Sequence, residues 1–315
     1  MAVYTPISED VLNQYLTQFD IGTLVFFTGI AEGVENTNYR LVTTQGLFIL
    51  TLFEKRVRSE DLPFFIALME HLHDKNIPCP GVISDRNGKK IVLLHNKPAL
   101  ITTFLKGSAV DHIEEFHAEA VGTMLAQLHL AGESFGMRRN NAMALPAWKA
   151  LIDLCGIKAD HVSPGLYAAL RQELAYLEAH WPQGMPVGAI HADLFPDNVF
   201  FTGRKLTGVI DFYFSCTDSL AYDLMLTLNA WCFEPSGQLN PQKSTALLNA
   251  YQRERRLTLA EREALPFFGR AAALRIIATR LYDWLHPVAG AVVRPKNPLE
   301  YVQILHFYQA KGFPA

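Results

Sequence analysis

The chain has 315 residues, half of them hydrophobic and 19% charged, which suits a packed globule with room for one large domain or two lobes rather than a disordered tail. A formal net charge of −3 speaks against a protein built mainly to coat nucleic acid or an anionic membrane, both of which select basic surfaces. Cys79, Cys155, Cys216 and Cys232 form no C-x-x-C pair, so neither a zinc ribbon nor a disulfide framework is indicated. The opening MAVYTPISED lacks the basic start and apolar core of a signal peptide. No apolar run approaches the roughly 20 residues of a membrane span, so a cytoplasmic location is expected.

In chain order, Ser8-Glu9-Asp10 supplies an N-cap and an acidic first turn to a short amphipathic helix. Segments 24–27, 37–42 and 47–53 are rich in β-formers and separated by short turns, which predicts an antiparallel meander rather than a βαβ unit. Residues 62–76 have helical spacing, with Phe65, Leu68, Met69 and Leu72 on one face, and stop at Ile77-Pro78-Cys79-Pro80. Strands are again expected at 81–84, 90–94 and 98–105, with Asn87-Gly88 supplying a turn. Beyond Asp111 the pattern turns helical, over 112–130, 165–181, 220–232, 242–255 and 260–285. The only further strands expected are short ones beside residues 187–213. The expected class is α+β: a small antiparallel-sheet lobe over 1–106 and a larger, mostly helical lobe over 107–315. A Gly-Ser pair within 106–109 would serve as the hinge.

Residues 187–213, VGAIHADLFPDNVFFTGRKLTGVIDFY, concentrate the chemistry. His191 and Asp193 form H-x-D, Asn198 follows after four residues, and Asp211-Phe212 comes after an apolar run. Phosphoryl transfer from a nucleotide needs a carboxylate that orients the attacking hydroxyl, and oxygen ligands that keep Mg²⁺ on the phosphates. The spacing H-x-D-x4-N and then D-F matches the catalytic-loop and metal-binding parts of the kinase signature. Asp193 and His191 are therefore catalytic candidates, and Asn198 and Asp211 metal candidates. Two other readings compete. Asp193 and Asn198 can be turn formers around Pro196, and His-x-Asp can belong to a transition-metal hydrolase. Asn is a poor transition-metal ligand and the other His residues are scattered, so an oxygen-seeking ion fits better.

Three further features stand out. GIAEGVENTNY (29–39) is a strand–turn–strand that can fold backbone N–H groups over phosphates, or be an ordinary hairpin turn. It is neither a Walker A loop nor a dinucleotide fingerprint, because no Gly-Lys-Ser/Thr and no helix follow. Asp218 suits a helix N-terminus, whereas Asp223, deeper among Ala221, Leu224 and Leu226, either caps or braces the catalytic loop. Arg270, Arg275 and Arg280 interrupt an apolar helix. Arg275 and Arg280 are candidates for a substrate carboxylate or phosphate, with salt bridges as the plainer alternative.

With these residues in view the chain resembles the aminoglycoside phosphotransferase/choline kinase family, which has a protein-kinase-like bilobal fold. The resemblance runs through GVENTNYRL (33–41), LFILTLFE (47–54), IPCP (77–80), PALITTFLKG (98–107), LAQLH (125–129), HADLFPDNVFF and IDFYFS. YDLMLTLNAWCF (222–233), ALRIIATRLYDW (273–284) and RPKNPLEYVQIL (294–305) are similar to the family's homoserine kinase branch. The resemblance implies Mg²⁺ and ATP as cofactors and a small-molecule acceptor, L-homoserine first. Choline, hydroxylysine, methylthioribose and an aminoglycoside are the alternatives within the family, and a pseudokinase binding module is the alternative outside catalysis. It further implies Asp193 as catalytic base, Asn198 and Asp211 as magnesium ligands, and a phosphate flap at Gly33, Asn36, Thr37 and Asn38. Adenine would meet Thr103, Phe104 and Leu105. There is one departure: Thr51 stands where such folds carry the third-strand lysine, and its usual glutamate partner falls near Phe65. Lys55 and Glu70 have the right chemistry out of register.

Overall fold

The computed structural model describes residues 5–30, 36–54, 57–287 and 295–311. They fall into two compact units, one preceding Gly107 and one from Gly107 onward.

In the first unit the Ser8 hydroxyl accepts from the Val11 N–H and starts α1 (Glu9–Leu16). Strands β1 (Leu24–Ile30), β2 (Thr37–Thr43) and β3 (Gly46–Leu52) form the expected meander. After α2 (Leu62–Asp74) come β4 (Val82–Ile83), β5 (Ile91–Leu94) and β6 (Lys97–Thr103). The sheet order is β1-β2-β3-β6-β4, with β5 also on β6, and every pairing is antiparallel. Alternation sets the faces: β2 buries Tyr39 and Leu41 and exposes Arg40 between them. Those two side chains pack with Leu12, Tyr15 and Leu16 of α1 and with Leu50 of β3.

The second unit is built from α3 (Glu115–Gly132), α4 (Leu145–Cys155), α5 (Leu166–His180), α6 (Leu220–Trp231), α7 (Pro241–Glu254), α8 (Leu259–Leu285) and α9 (Leu299–Lys311). Two small antiparallel pairs are set among them: β7 (Val187–Ile190) with β10 (Cys216–Ser219), and β8 (Val199–Thr202) with β9 (Lys205–Val209). Helices α4 and α9 were not anticipated. Close backbone approach fixes two helix contacts beneath the site. A Cβ on Gly122 of α3 would stand 2.2 Å from the Leu247 carbonyl oxygen of α7. One on Gly269 of α8 would stand 2.3 Å from the Tyr308 ring of α9. The Tyr308 hydroxyl in turn donates to Asn229 Oδ1 of α6, and Asn229 Nδ2 donates to the Gly269 carbonyl. The Gly-Ser pair expected to be a hinge is anchored, since Ser108 exchanges backbone hydrogen bonds with Phe201 at 3.1 and 2.9 Å. Among the described residues no helix is long and apolar enough to cross a membrane.

Candidate active site

The loop after β7 is held in an unusual shape by its own polar groups. Ala192 has φ of 63°, a left-handed conformation that costs a non-glycine residue roughly 1 kcal/mol. Three contacts hold it there. Asp223 of α6, fully buried, accepts from the His191 N–H at 2.9 Å and from the Ala192 N–H at 2.8 Å. The Arg275 guanidinium of α8 donates to the Ala192 carbonyl. Strain held by surrounding structure is a mark of functional sites, and here it accompanies an Asp193 side chain that is 21% exposed.

His191 serves that loop rather than a reactant. Its ring is fully buried, Nε2 lies 3.0 Å from the Ile210 carbonyl, and Nδ1 accepts from the Asp193 N–H at 3.2 Å. Burial pushes its pKa down to about 4, so the ring is neutral with both nitrogens engaged. His191, expected as a catalytic group or as half of a His-x-Asp metal site, thus has both ring nitrogens within reach of backbone partners.

Asn198 Nδ2 donates to the Asp193 carbonyl at 2.8 Å and to Asp193 Oδ2 at 3.1 Å. Burial raises the Asp193 pKa, against the opposing pull of Arg275, Asn198 and Lys296. The β8–β9 hairpin then returns the chain to the same place. Val199 pairs with Val209, and the Ile210 N–H donates to the Asn198 carbonyl at 3.0 Å. Asp211 follows at once, in a left-handed conformation with φ of 64°. Asp193, Asn198 and Asp211 are thereby gathered around Ile210 and the loop. With Nδ2 spent on Asp193, the remaining polar atom of the Asn198 side chain is its carbonyl oxygen. That oxygen plus the Asp211 carboxylate is a hard-oxygen donor set of the kind a divalent cation takes.

Behind Asp223 runs a chain of buried polar groups that the sequence did not announce. His129 Nε2 of α3 lies 3.1 Å from Asp223 Oδ2, and its Nδ1 lies 2.8 Å from the Tyr251 hydroxyl of α7. Arg255 Nη1 donates to that hydroxyl at 3.1 Å and its Nη2 pairs with Glu261 Oε1 at 2.9 Å. Despite the upward push of burial, His129 and His191 hold the Asp223 carboxyl below the usual carboxylate range. Asp223 thus meets the backbone of the 191–193 loop at two N–H groups.

The two arginines expected to meet a substrate anion are committed within the fold. Arg275 is buried, bonded to the loop, and has Nη2 3.9 Å from Asp193 Oδ1. Arg280 donates to Glu300 Oε2 at 2.7 Å and to the Asn297 carbonyl at 3.3 Å, with its guanidinium 4.6 Å from the Tyr301 ring centroid. A helix's apolar stripe does not say toward which neighbour its charged residues point.

In the first unit Thr51 Oγ1 donates to Asn38 Oδ1 at 2.7 Å across the β2–β3 pair, so the strand position lacking a lysine holds a buried hydroxyl–amide contact. Thr37 donates to Glu54 Oε1 at 2.8 Å, and Asn36 Oδ1 accepts from the Glu54 N–H at 3.3 Å. Glu54 is ion-paired with Lys97, a lysine–glutamate pair that sequence reasoning missed. Glu70 pairs instead with Lys90 at 2.6 Å. The Thr103 N–H is bonded to the Gly81 carbonyl and the Phe104 N–H to that of Leu47, while Leu105 is half-buried. Gly33 and Lys55 lie outside the described residues.

Residues 27–257 match the phosphotransferase enzyme family. The homoserine kinase of Xanthobacter autotrophicus is 53% identical over 310 residues, covering 98% of this chain and 97% of that relative. The homoserine kinase of Nitrobacter winogradskyi is 53% identical over 312 residues, covering 99% of this chain and 96% of its own length. Among solved structures, an amicoumacin kinase in complex with AMP-PNP, Ca²⁺ and Ami superposes with a TM-score of 0.72 at 14% identity, covering 96% of this chain and 92% of that one. The likeness of that structure extends to the fold, and the sequence matches carry the rest: the chain belongs to the phosphotransferase enzyme family.

Proposed function

We propose that the protein transfers the γ-phosphoryl group of ATP to the side-chain hydroxyl of L-homoserine, giving O-phospho-L-homoserine and ADP. The acceptor rests on the homoserine kinases that are 53% identical over nearly their whole length. The reaction type rests on one observation: a partly exposed Asp193 carboxylate hydrogen-bonded to Asn198, whose backbone carbonyl in turn accepts from the residue just before Asp211.

Asp193 accepts the hydrogen bond of the acceptor hydroxyl and aims its oxygen in line with the γ-phosphorus. The new O–P bond forms as the bond to the β-phosphate oxygen breaks. The hydroxyl proton passes to Asp193 and then to solvent. Asn198 and Asp211 would hold Mg²⁺, which when bound offsets charge on the phosphates. Asn198 also restrains the Asp193 carboxylate through its amide, and Arg275 holds the backbone that carries it. The nucleotide is assigned to Asn36, Thr37, Asn38, Thr51 and the 103–105 backbone by family resemblance. With Mg-ATP, ADP release should depend on added homoserine in a panel that includes serine, choline and kanamycin. Turnover of choline with none of homoserine overturns the acceptor assignment.

Arg275 offers a second check. Since its guanidinium grips the loop instead of facing solvent, Arg275→Met should lower kcat by at least about tenfold and leave the homoserine KM near its original value. The same change removes a charge that draws the Asp193 pKa down, so the acid limb of the kcat profile should move to higher pH. A rise in KM alone would return Arg275 to substrate binding.

A further inference from the structure

Homoserine differs from a simple amino alcohol by its carboxylate, and a site that selects it needs a cation free to meet that group. Arg275 and Arg280 are both taken up by intramolecular contacts. Lys296 is placed differently. Its ammonium lies 2.5 Å from Asp197 Oδ2, in the turn between Asp193 and Asn198. The two side chains are 59% and 68% exposed, so water competes for both ends of the pair and an incoming carboxylate can replace Asp197.

The backbone that follows Lys296 is anchored even though its side chain is exposed. Arg280 ties the Asn297 carbonyl and Glu300 together, and Asn297 Oδ1 accepts from the Leu299 N–H at 3.0 Å at the start of α9. A four-carbon stem therefore swings from a fixed point beside the catalytic loop.

We propose that Lys296 is the residue that binds the acceptor's carboxylate, exchanging Asp197 for it, and that it thereby separates a hydroxy amino acid from an amino alcohol. The proposal rests on the homoserine reading.

The test compares homoserine with 3-amino-1-propanol, its counterpart without the carboxylate, in the full-length protein. Lys296→Met keeps much of the stem and removes the charge. At pH above the acid limb it should lower kcat/KM for homoserine by about 10- to 100-fold, chiefly through KM, and leave 3-amino-1-propanol and the ATP KM unchanged. Lys296→Arg should recover part of the loss. Asp197→Asn, which frees the ammonium from its partner, should retain the preference for homoserine. Equal losses for both acceptors in Lys296→Met, reproduced by Asp197→Asn, would mean that the pair only ties down the loop, and the proposal fails. An unchanged preference in Lys296→Met also overturns it. A wild-type protein that ignores homoserine while phosphorylating another acceptor sinks the function assignment, and this proposal with it.

Discussion

Asp193→Asn should reduce phosphoryl transfer by about 10²- to 10⁴-fold, the usual share of a positioned base, while nucleotide binding measured by calorimetry changes little. The substitution is nearly isosteric, and an amide oxygen can still accept from Asn198 Nδ2. It cannot take a proton, and it leaves Arg275 facing a neutral group 3.9 Å away. The wild-type pH profile carries the same signature. Burial raises the Asp193 pKa, so its protonated, inactive form persists to higher pH than for an ordinary carboxylate. Activity should rise with pH along that limb, and Asp193→Asn should abolish the limb. Retention of more than about a tenth of wild-type kcat would remove Asp193 from the role of base.

The second large effect is expected at Asp223, and it is one of stability as well as rate. Its carboxylate accepts from the His191 N–H, the Ala192 N–H and His129 Nε2, all within the core. Asp223→Ala leaves those donors buried without an acceptor, at about 1–3 kcal/mol for each group. The total should be on the order of 3–5 kcal/mol, readable as a fall in the urea midpoint, with kcat falling as the Ala192 turn relaxes. Acid should act on the same assembly. Asp223's folded pKa is depressed, so its contribution is complete above the unfolded value of about 3.9 and is lost as pH falls through the folded one. His191 titrates at about 4 when folded and near 6.5 when unfolded, so the unfolded chain binds the extra proton between those values. Its share of stability should fall by about 3 kcal/mol as pH drops across that window. Urea titrations between pH 4 and 7 test the sign. A flat midpoint in the wild type, matched by His191→Gln, would show that this histidine is not held neutral.

Much of the site was legible because it is local. Asp193, Asn198 and Asp211 sit within one short stretch, and the apolar residues between them predict strands that fold back. The antiparallel meander was equally plain, since period-two alternation and turn residues act over a few positions. Contacts across the chain were not legible. LAQLH marked His129 as part of a resemblance, but only the crossing of α3 and α7 at Gly122 brings it to Tyr251. Nothing near Arg255 in the sequence says that its partner is Glu261, the helix-capping residue of α8. Arg275 and Arg280 were conspicuous for the right reason, a charge in an apolar helix. Their partners lie on the loop and on α9, and a helical period carries no information about the neighbouring element. The buried spacing of Tyr301, Ile304, Leu305 and Tyr308 in α9 did have a helical period, and it was passed over.

The β8–β9 hairpin separates Asn198 from Asp211 by twelve residues, yet only its open end fixes where they stand. The far end, at Gly203 and Arg204, is exposed, and a Cβ on Gly203 would meet nothing within 4 Å. Residues added there lengthen the turn and leave the Ile210–Asn198 hydrogen bond untouched, and the pair already absorbs one irregularity, a register shift between Phe200 and Phe201. The length of that interval is thus decoupled from where Asn198 and Asp211 stand. Kinship among chains that share this arrangement is recorded in the pairing at the hairpin's base, and a census that counts the residues between asparagine and aspartate will overlook some of them.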